Sequence, residues 1–187
     1  IVPAEANTGY GYIKRGPKHD AGFFVESFTE KPSLEIAEEY IKSNMYFWNS
    51  GMFLMKASKY LSELKKFRPD IYKACEKATL GIKHDEDFIR IDKTAFNSCP
   101  SESIDYAVME KTKDAVVVPM DAGWNDIGSW SSIWDVSNKD DAGNATLGDV
   151  TCENVSNYYI GSEEGLVACV GVDNLVIVST KEVVLVA

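Results

Sequence analysis

Three blocks of this sequence, one of them in two halves, combine residue types that suit a phosphorylated sugar. In Phe28-Thr29-Glu30-Lys31-Pro32 an acid stands beside an amine. Glu30 can accept hydrogen bonds from two sugar hydroxyls, and Lys31 can neutralise a phosphate. About 17 positions on, Trp48-Asn49-Ser50-Gly51-Met52-Phe53 follows. Asn49 supplies a donor and an acceptor, and Gly51 leaves room for a ring. Upstream, Thr8-Gly9-Tyr10-Gly11-Tyr12-Ile13 carries two glycines that let backbone come close to a ligand, and tyrosines that can pack on a sugar. The last block is Gly123-Trp124-Asn125-Asp126-Ile127-Gly128-Ser129-Trp130. There Asp126 is placed to hold Mg²⁺ against a phosphate. Each block has a plainer reading as well. The glycines can mark an ordinary loop, Glu30 and Lys31 a surface pair before a helix, residues 48–53 a buried aromatic strand, and Asp126 a cap for a helix beginning near Gly128.

Other chemistry finds less support. Ser103 and Asp105 have no histidine partner in sequence, so a hydrolytic triad is not indicated. His19 and His84 lie in charged segments and read as solvated, while Trp130 and Trp134 at helical spacing read as core. The four cysteines, Cys75, Cys99, Cys152 and Cys169, show no C-x-x-C spacing, which argues against structural zinc and fits a reducing cytoplasm. Over 187 residues, 19 Lys and Arg face 29 Asp and Glu, a net charge of −10. Duplex nucleic acid is therefore a poor partner, since its binding depends on cations that neutralise phosphates. No apolar run approaches the roughly 20 residues of a membrane-spanning helix.

The elements that must position these blocks alternate between strand and helix. Residues 1–16 read as loop, 23–28 as a strand, and 34–42 as a helix capped by Ser33. A second strand is expected over 47–55. Ala57, Tyr60, Leu61, Leu64 and Phe67 then share one face of a helix. Pro69 ends it, and a short helix follows through Ile71, Ala74, Cys75 and Ala78. Ser101 can cap a helix through Ile104, Ala107 and Val108; residues 115–118 read as a strand, and Trp130, Ile133 and Trp134 mark a last helix. From about residue 144 helical spacing stops, and β-branched runs recur at 155–160, 166–170, 175–179 and 183–186. The pattern predicts an α/β domain over residues 1–143 and a small all-β tail over 144–187.

Taken in order, the blocks resemble the nucleotide-sugar pyrophosphorylases, and within them the long bacterial mannose-1-phosphate guanylyltransferases. The likeness also runs through Ser103-Ile104-Asp105-Tyr106-Ala107-Val108-Met109-Glu110-Lys111, Leu147-Gly148-Asp149-Val150 and residues 166–187. It implies a Rossmann-like nucleotidyltransferase domain with a mixed sheet, of which residues 1–143 are the sugar-phosphate-binding part, then a β-helix-like segment. It implies a cytoplasmic enzyme that joins GTP and mannose 1-phosphate into GDP-mannose and pyrophosphate with Mg²⁺. On this resemblance Glu30 binds mannose hydroxyls, Lys31 its phosphate, and Asn49 and Gly51 the sugar. Gly11 lends backbone, Asp126 is one of two metal carboxylates, and Asp105 orders the site. The family's glycine-rich, Arg-containing loop and first metal aspartate are expected upstream of Ile1, and a cupin isomerase domain often follows. The chain is therefore expected to be inactive alone. Its β tail is expected to bury part of the catalytic domain or to join copies into a homo-oligomer. A pyrophosphorylase for another hexose or nucleotide is the nearest alternative, followed by a non-catalytic nucleotide-sugar-binding homologue. An acyltransferase-type β-helix needs many more repeats and a histidine that the tail lacks.

Overall fold

A computed structural model describes residues 1–187, which divide into two compact units, 1–122 and 123–187. In the first, β1 (Gly11–His19) and β2 (Gly22–Thr29) form an antiparallel hairpin. Their register shifts between Lys14 and Arg15 and again between Arg15 and Lys18, where Pro17 has no N–H to give the ladder. β3 (Tyr46–Asn49) pairs with β1, and β6 (Val116–Val117) pairs with β2, giving the antiparallel order β3-β1-β2-β6. Residues 1–16 are thus only partly a loop, because Gly11 already pairs with Asn49. The strand expected over 47–55 ends at Asn49, just before the left-handed turn at Gly51.

Helix α1 (Leu34–Ser43) buries Ala37 and turns its Tyr40 toward the sheet, stacking on Tyr46 at 3.8 Å between ring centroids. Helices α2 (Ala57–Phe67) and α3 (Pro69–Thr79) follow, with Pro69 at the start of α3, where its missing N–H costs nothing. A small hairpin, β4 (Lys83–Asp85) with β5 (Phe88–Arg90), and a short α4 (Lys93–Asn97) complete the helical side. The segment expected as a capped helix near residue 104 is instead one π-helical turn, Asp105–Met109. Leu64, Ile71, Ala107 and Val108 form the core that joins α2 and α3 to this turn. At roughly 2 kcal/mol for each large buried side chain, this cluster fixes the turn in place.

The buried face of α2 is rotated from the expected one. Leu61 is 47% exposed, whereas Glu63 is buried. Glu63 tolerates burial because Lys59 Nζ donates to its Oε1 at 3.2 Å and Thr112 Oγ1 to its Oε2 at 2.8 Å.

The second unit opens with turns, then helix α5 (Trp130–Val136), which buries none of its residues; Trp130 and Trp134 are therefore not core. Six strands follow: β7 (Ala145–Leu147), β8 (Val150–Glu153), β9 (Tyr159–Ser162), β10 (Val167–Val170), β11 (Val176–Ser179) and β12 (Val184–Val186). β7, β9 and β11 stack in parallel, as do β8 and β10, and β12 closes the larger sheet antiparallel to β11. Val150 pairs with Val167 and Tyr159 with Val176, a step of 17 residues, whereas Ala145 pairs with Tyr159, a step of 14. The left-handed turn positions repeat at the 17-residue interval: Gly148 with Gly165, Asn154 with Gly171, Asn157 with Asn174. Val155, Tyr158, Ile160 and Cys169 fill the coil interior.

The Glu63 network yields a test. Its hydrogen bond from Thr112, then that from Lys59, holds the carboxyl below its ordinary pKa. The stabilisation is therefore present above that ordinary value and lost as pH falls through the lowered one. Thr112→Val should cost about 1.5 kcal/mol in denaturant unfolding near neutral pH. The gap should narrow in acid, and a constant gap at all pH would show that packing, not the bond, is at work.

Candidate active site

Strand pairing brings the first blocks together within the first unit. Tyr12 pairs with Thr29 and Gly11 with Asn49, so the starts of β1 and the ends of β2 and β3 meet at one sheet end. Glu30 stands one residue beyond β2, with its side chain only 12% exposed. The space it fills is left by Gly11: a Cβ there would run into Glu30 Oε2 and lie 3.3 Å from Asn49 Cβ. Glu30 Oε2 itself is buried without a hydrogen-bond partner. A buried carboxylate oxygen with no donor is costly, and it is the natural seat for a ligand hydroxyl.

The groups around it are fixed by short bonds. Asn49 Nδ2 donates to Asp105 Oδ1 at 2.9 Å, and the Gly51 N–H donates to Asn49 Oδ1 at 3.1 Å. Asp105 therefore orients the amide from the π-helical turn. The Glu30 N–H donates to Glu110 Oε1 at 3.3 Å. Lys31 is exposed, its Nζ 4.0 Å from Glu30 Oε1. Burial raises the Glu30 pKa; the nearby Asp105 and Glu110 charges push the same way, and Lys31 opposes them. Beside the site, Tyr10 packs edge-on against Trp48 with centroids 5.0 Å apart. Gly11, Glu30, Lys31, Asn49, Gly51 and Asp105 are thus gathered in one place. Glu110 is the neighbour that residue types alone did not single out, although it lies in the block that runs from Ser103 to Lys111.

Asp126 lies in the second unit, exposed, in a tight turn where the Gly128 N–H donates to its Oδ1 at 3.3 Å. It does not cap the helix. Helix α5 begins at Trp130, and its cap is Ser129, which accepts from the Ser132 N–H at 3.1 Å. No three His, Cys, Asp or Glu side chains group closely enough to hold a metal ion. Asp126 therefore offers one exposed carboxylate in a turn, a number suited only to a Mg²⁺ whose other ligands come from phosphate or water, and not to an all-protein cage. No helix is long and apolar enough to cross a membrane.

Comparison with known proteins places these features in company. Residues 1–143 match the profile of the nucleotidyl transferases. The chain is 57% identical over 192 aligned positions to the mannose-1-phosphate guanylyltransferase ManC of Salmonella typhimurium, and 55% identical to a mannose-1-phosphate guanylyltransferase of Escherichia coli K12. Each alignment takes in 100% of this chain, which spans 40% of the length of those relatives. Among solved structures, one from Thermus thermophilus, described as a mannose-1-phosphate geranyltransferase, superposes with a TM-score of 0.84 at 31% identity. That match covers 100% of this chain and 53% of the other. The fold is thus the mixed α/β nucleotidyltransferase fold followed by a C-terminal all-β segment.

The raised Glu30 pKa has a measurable sign. A side chain that the fold prefers protonated contributes full stability in acid and loses it as pH rises through the folded value. Glu30→Gln should therefore match the wild type in thermal midpoint below about pH 4 and exceed it at about pH 7. Equal midpoints across the range would mean that the ionised carboxylate is not desolvated.

Proposed function

Because the chain belongs to the nucleotidyl transferase family, we propose that it forms the sugar-phosphate-holding part of a guanylyltransferase that converts GTP and mannose 1-phosphate into GDP-mannose and pyrophosphate. The observation that carries this reading is the unpartnered Glu30 Oε2, buried beside Asn49 and Lys31 at the end of one sheet.

In this scheme the Glu30 carboxylate accepts from mannose hydroxyls. Asn49, held by Asp105, gives the sugar a donor. Gly11 keeps the carboxylate's place free, and the turn at Gly51 leaves room for the ring. Lys31 meets the sugar's phosphate and offsets part of its charge. Its task is alignment: the phosphate oxygen must approach the α-phosphorus of the nucleotide in line, and a fixed ring restricts the angles it samples. Asp126 would hold Mg²⁺, which when bound neutralises charge on the phosphates. A chain spanning 40% of its relatives is expected to supply part of this machinery and not the whole.

Calorimetry on the 187-residue chain should show saturable binding of mannose 1-phosphate with no GDP-mannose formed on adding GTP and Mg²⁺. Lys31→Ala should weaken mannose 1-phosphate about tenfold and leave free mannose unchanged. No saturation, or an equal response to inorganic phosphate, would remove the sugar-phosphate assignment. In a complete enzyme bearing these residues, Asp126→Asn should depress turnover while the melting point holds. Full turnover would deny Asp126 a part in the reaction.

A further inference from the structure

The π-helical turn reaches the sugar site twice, from its two ends. At its start Asp105 Oδ1 accepts from Asn49 Nδ2 at 2.9 Å. Just past its end Glu110 Oε1 accepts from the backbone N–H of Glu30 at 3.3 Å. The Glu110 N–H in turn donates to the Asp105 carbonyl at 2.9 Å, the wide spacing that defines this turn. An α-helical turn would place the two carboxylates differently, and π-turns recur at functional sites. The turn is also well anchored, since Ala107 and Val108 lie in the core with Leu64 and Ile71.

The backbone that Glu110 grips needs holding. Lys31 has φ +47°, a left-handed conformation that a side-chain-bearing residue adopts at a cost. Pro32 adds to it, because a residue before proline favours extended backbone. Such a conformation persists only where surroundings over-determine it. The bond to the Glu30 N–H ties this corner to a residue 80 positions on in sequence.

We propose that Glu110 is a positioning residue for the sugar-phosphate site: its carboxylate fixes the Glu30-Lys31 corner, so that the π-helical turn clamps the acid and amine through Glu110 and the amide through Asp105. This rests on the reading given above for the identity of the ligand. Glu110 touches no substrate in this scheme; it acts through the corner that presents Lys31. The charges facing Glu30 are Asp105, Glu110 and Lys31, so Glu110 also sets the potential that Glu30 experiences.

Two variants separate the roles. Glu110→Gln keeps an oxygen that accepts from the Glu30 N–H but removes the charge, whereas Glu110→Ala removes both. In Glu110→Ala the Glu30 amide should lose protection from hydrogen exchange, and mannose 1-phosphate should bind about tenfold more weakly, with free mannose nearly unaffected. In Glu110→Gln affinity should stay within about twofold of wild type, while the Glu30 carboxyl titrates at lower pH by NMR. Retained amide protection and affinity in Glu110→Ala would overturn the proposal, as would equal losses in both variants. The exchange and titration readouts need no ligand. A wild-type chain that ignores mannose 1-phosphate, yet loses Glu30 protection in Glu110→Ala, would sink the sugar-phosphate reading and sustain the positioning role.

Discussion

A carboxylate oxygen taken out of water without a donor must be held there by something, and in this protein that something is the end of a small antiparallel sheet. Glu30 occupies the hollow that Gly11 leaves, one residue past the point where β2 stops pairing. Any side chain at Gly11 would occupy the same volume. The geometry of β1, β2 and β3 is therefore constrained at this end by a polar group as well as by the buried rings of Tyr12, Phe28 and Trp48. A further apolar contribution comes from Leu64 and Ile71, which seat the π-helical turn; from it Asp105 reaches Asn49, and just past its end Glu110 reaches the Glu30 backbone. Core and site are linked through that one turn.

Much of this was legible in the sequence, though not evenly. The spans of α1 and α2 follow from apolar spacing, and the acid, amine, amide and glycines of the site could be named from chemistry and family likeness. The rotated face of α2 could not. Spacing assigns Leu61 inward and treats Glu63 as solvated, because a period counts apolar residues and has no knowledge of Lys59 and Thr112 waiting to pair with a buried acid. The π-helical turn is hidden for a similar reason. One extra residue in a turn changes no pattern that a short apolar triplet can reveal, and its stabilisation lies in tertiary contacts.

The β tail carried a signal that was present but of another kind. Alternation within strands of four residues is too brief to set their bounds, so β7 and β8 escape notice and β9 is displaced. The 17-residue interval between Gly148 and Gly165, Cys152 and Cys169, and Asn157 and Asn174 spans the turns as well as the strands. Turn chemistry repeats more faithfully here than hydrophobicity, because a left-handed corner accepts few residue types while an inward β position accepts many. Cysteines that look scattered in sequence become neighbours through that period, with Cys152 facing Cys169 across adjacent strands. Asp126 shows the opposite limit: its type suits a cap or a metal equally, and only the placement of Ser129 at the start of α5 removes the first.

The electrostatics of the site bear on how, in the proposed function, a phosphorylated sugar would be selected. Three carboxylates, those of Glu30, Asp105 and Glu110, act on one corner that holds a single ammonium, Lys31. Such a corner, in a chain of net charge −10, does not draw phosphate for its own sake. On the function proposed above, hydroxyl recognition by Glu30 and Asn49 would contribute much of the binding, with Lys31 distinguishing the phosphorylated sugar from the free one. Charge neutralisation during nucleotidyl transfer would then fall to groups that join only when nucleotide and metal are in place. That order would have a chemical advantage, since an acidic sugar pocket discourages a stray phosphate from occupying the acceptor's place and leaves the strongest electrostatic stabilisation for the step in which charge develops.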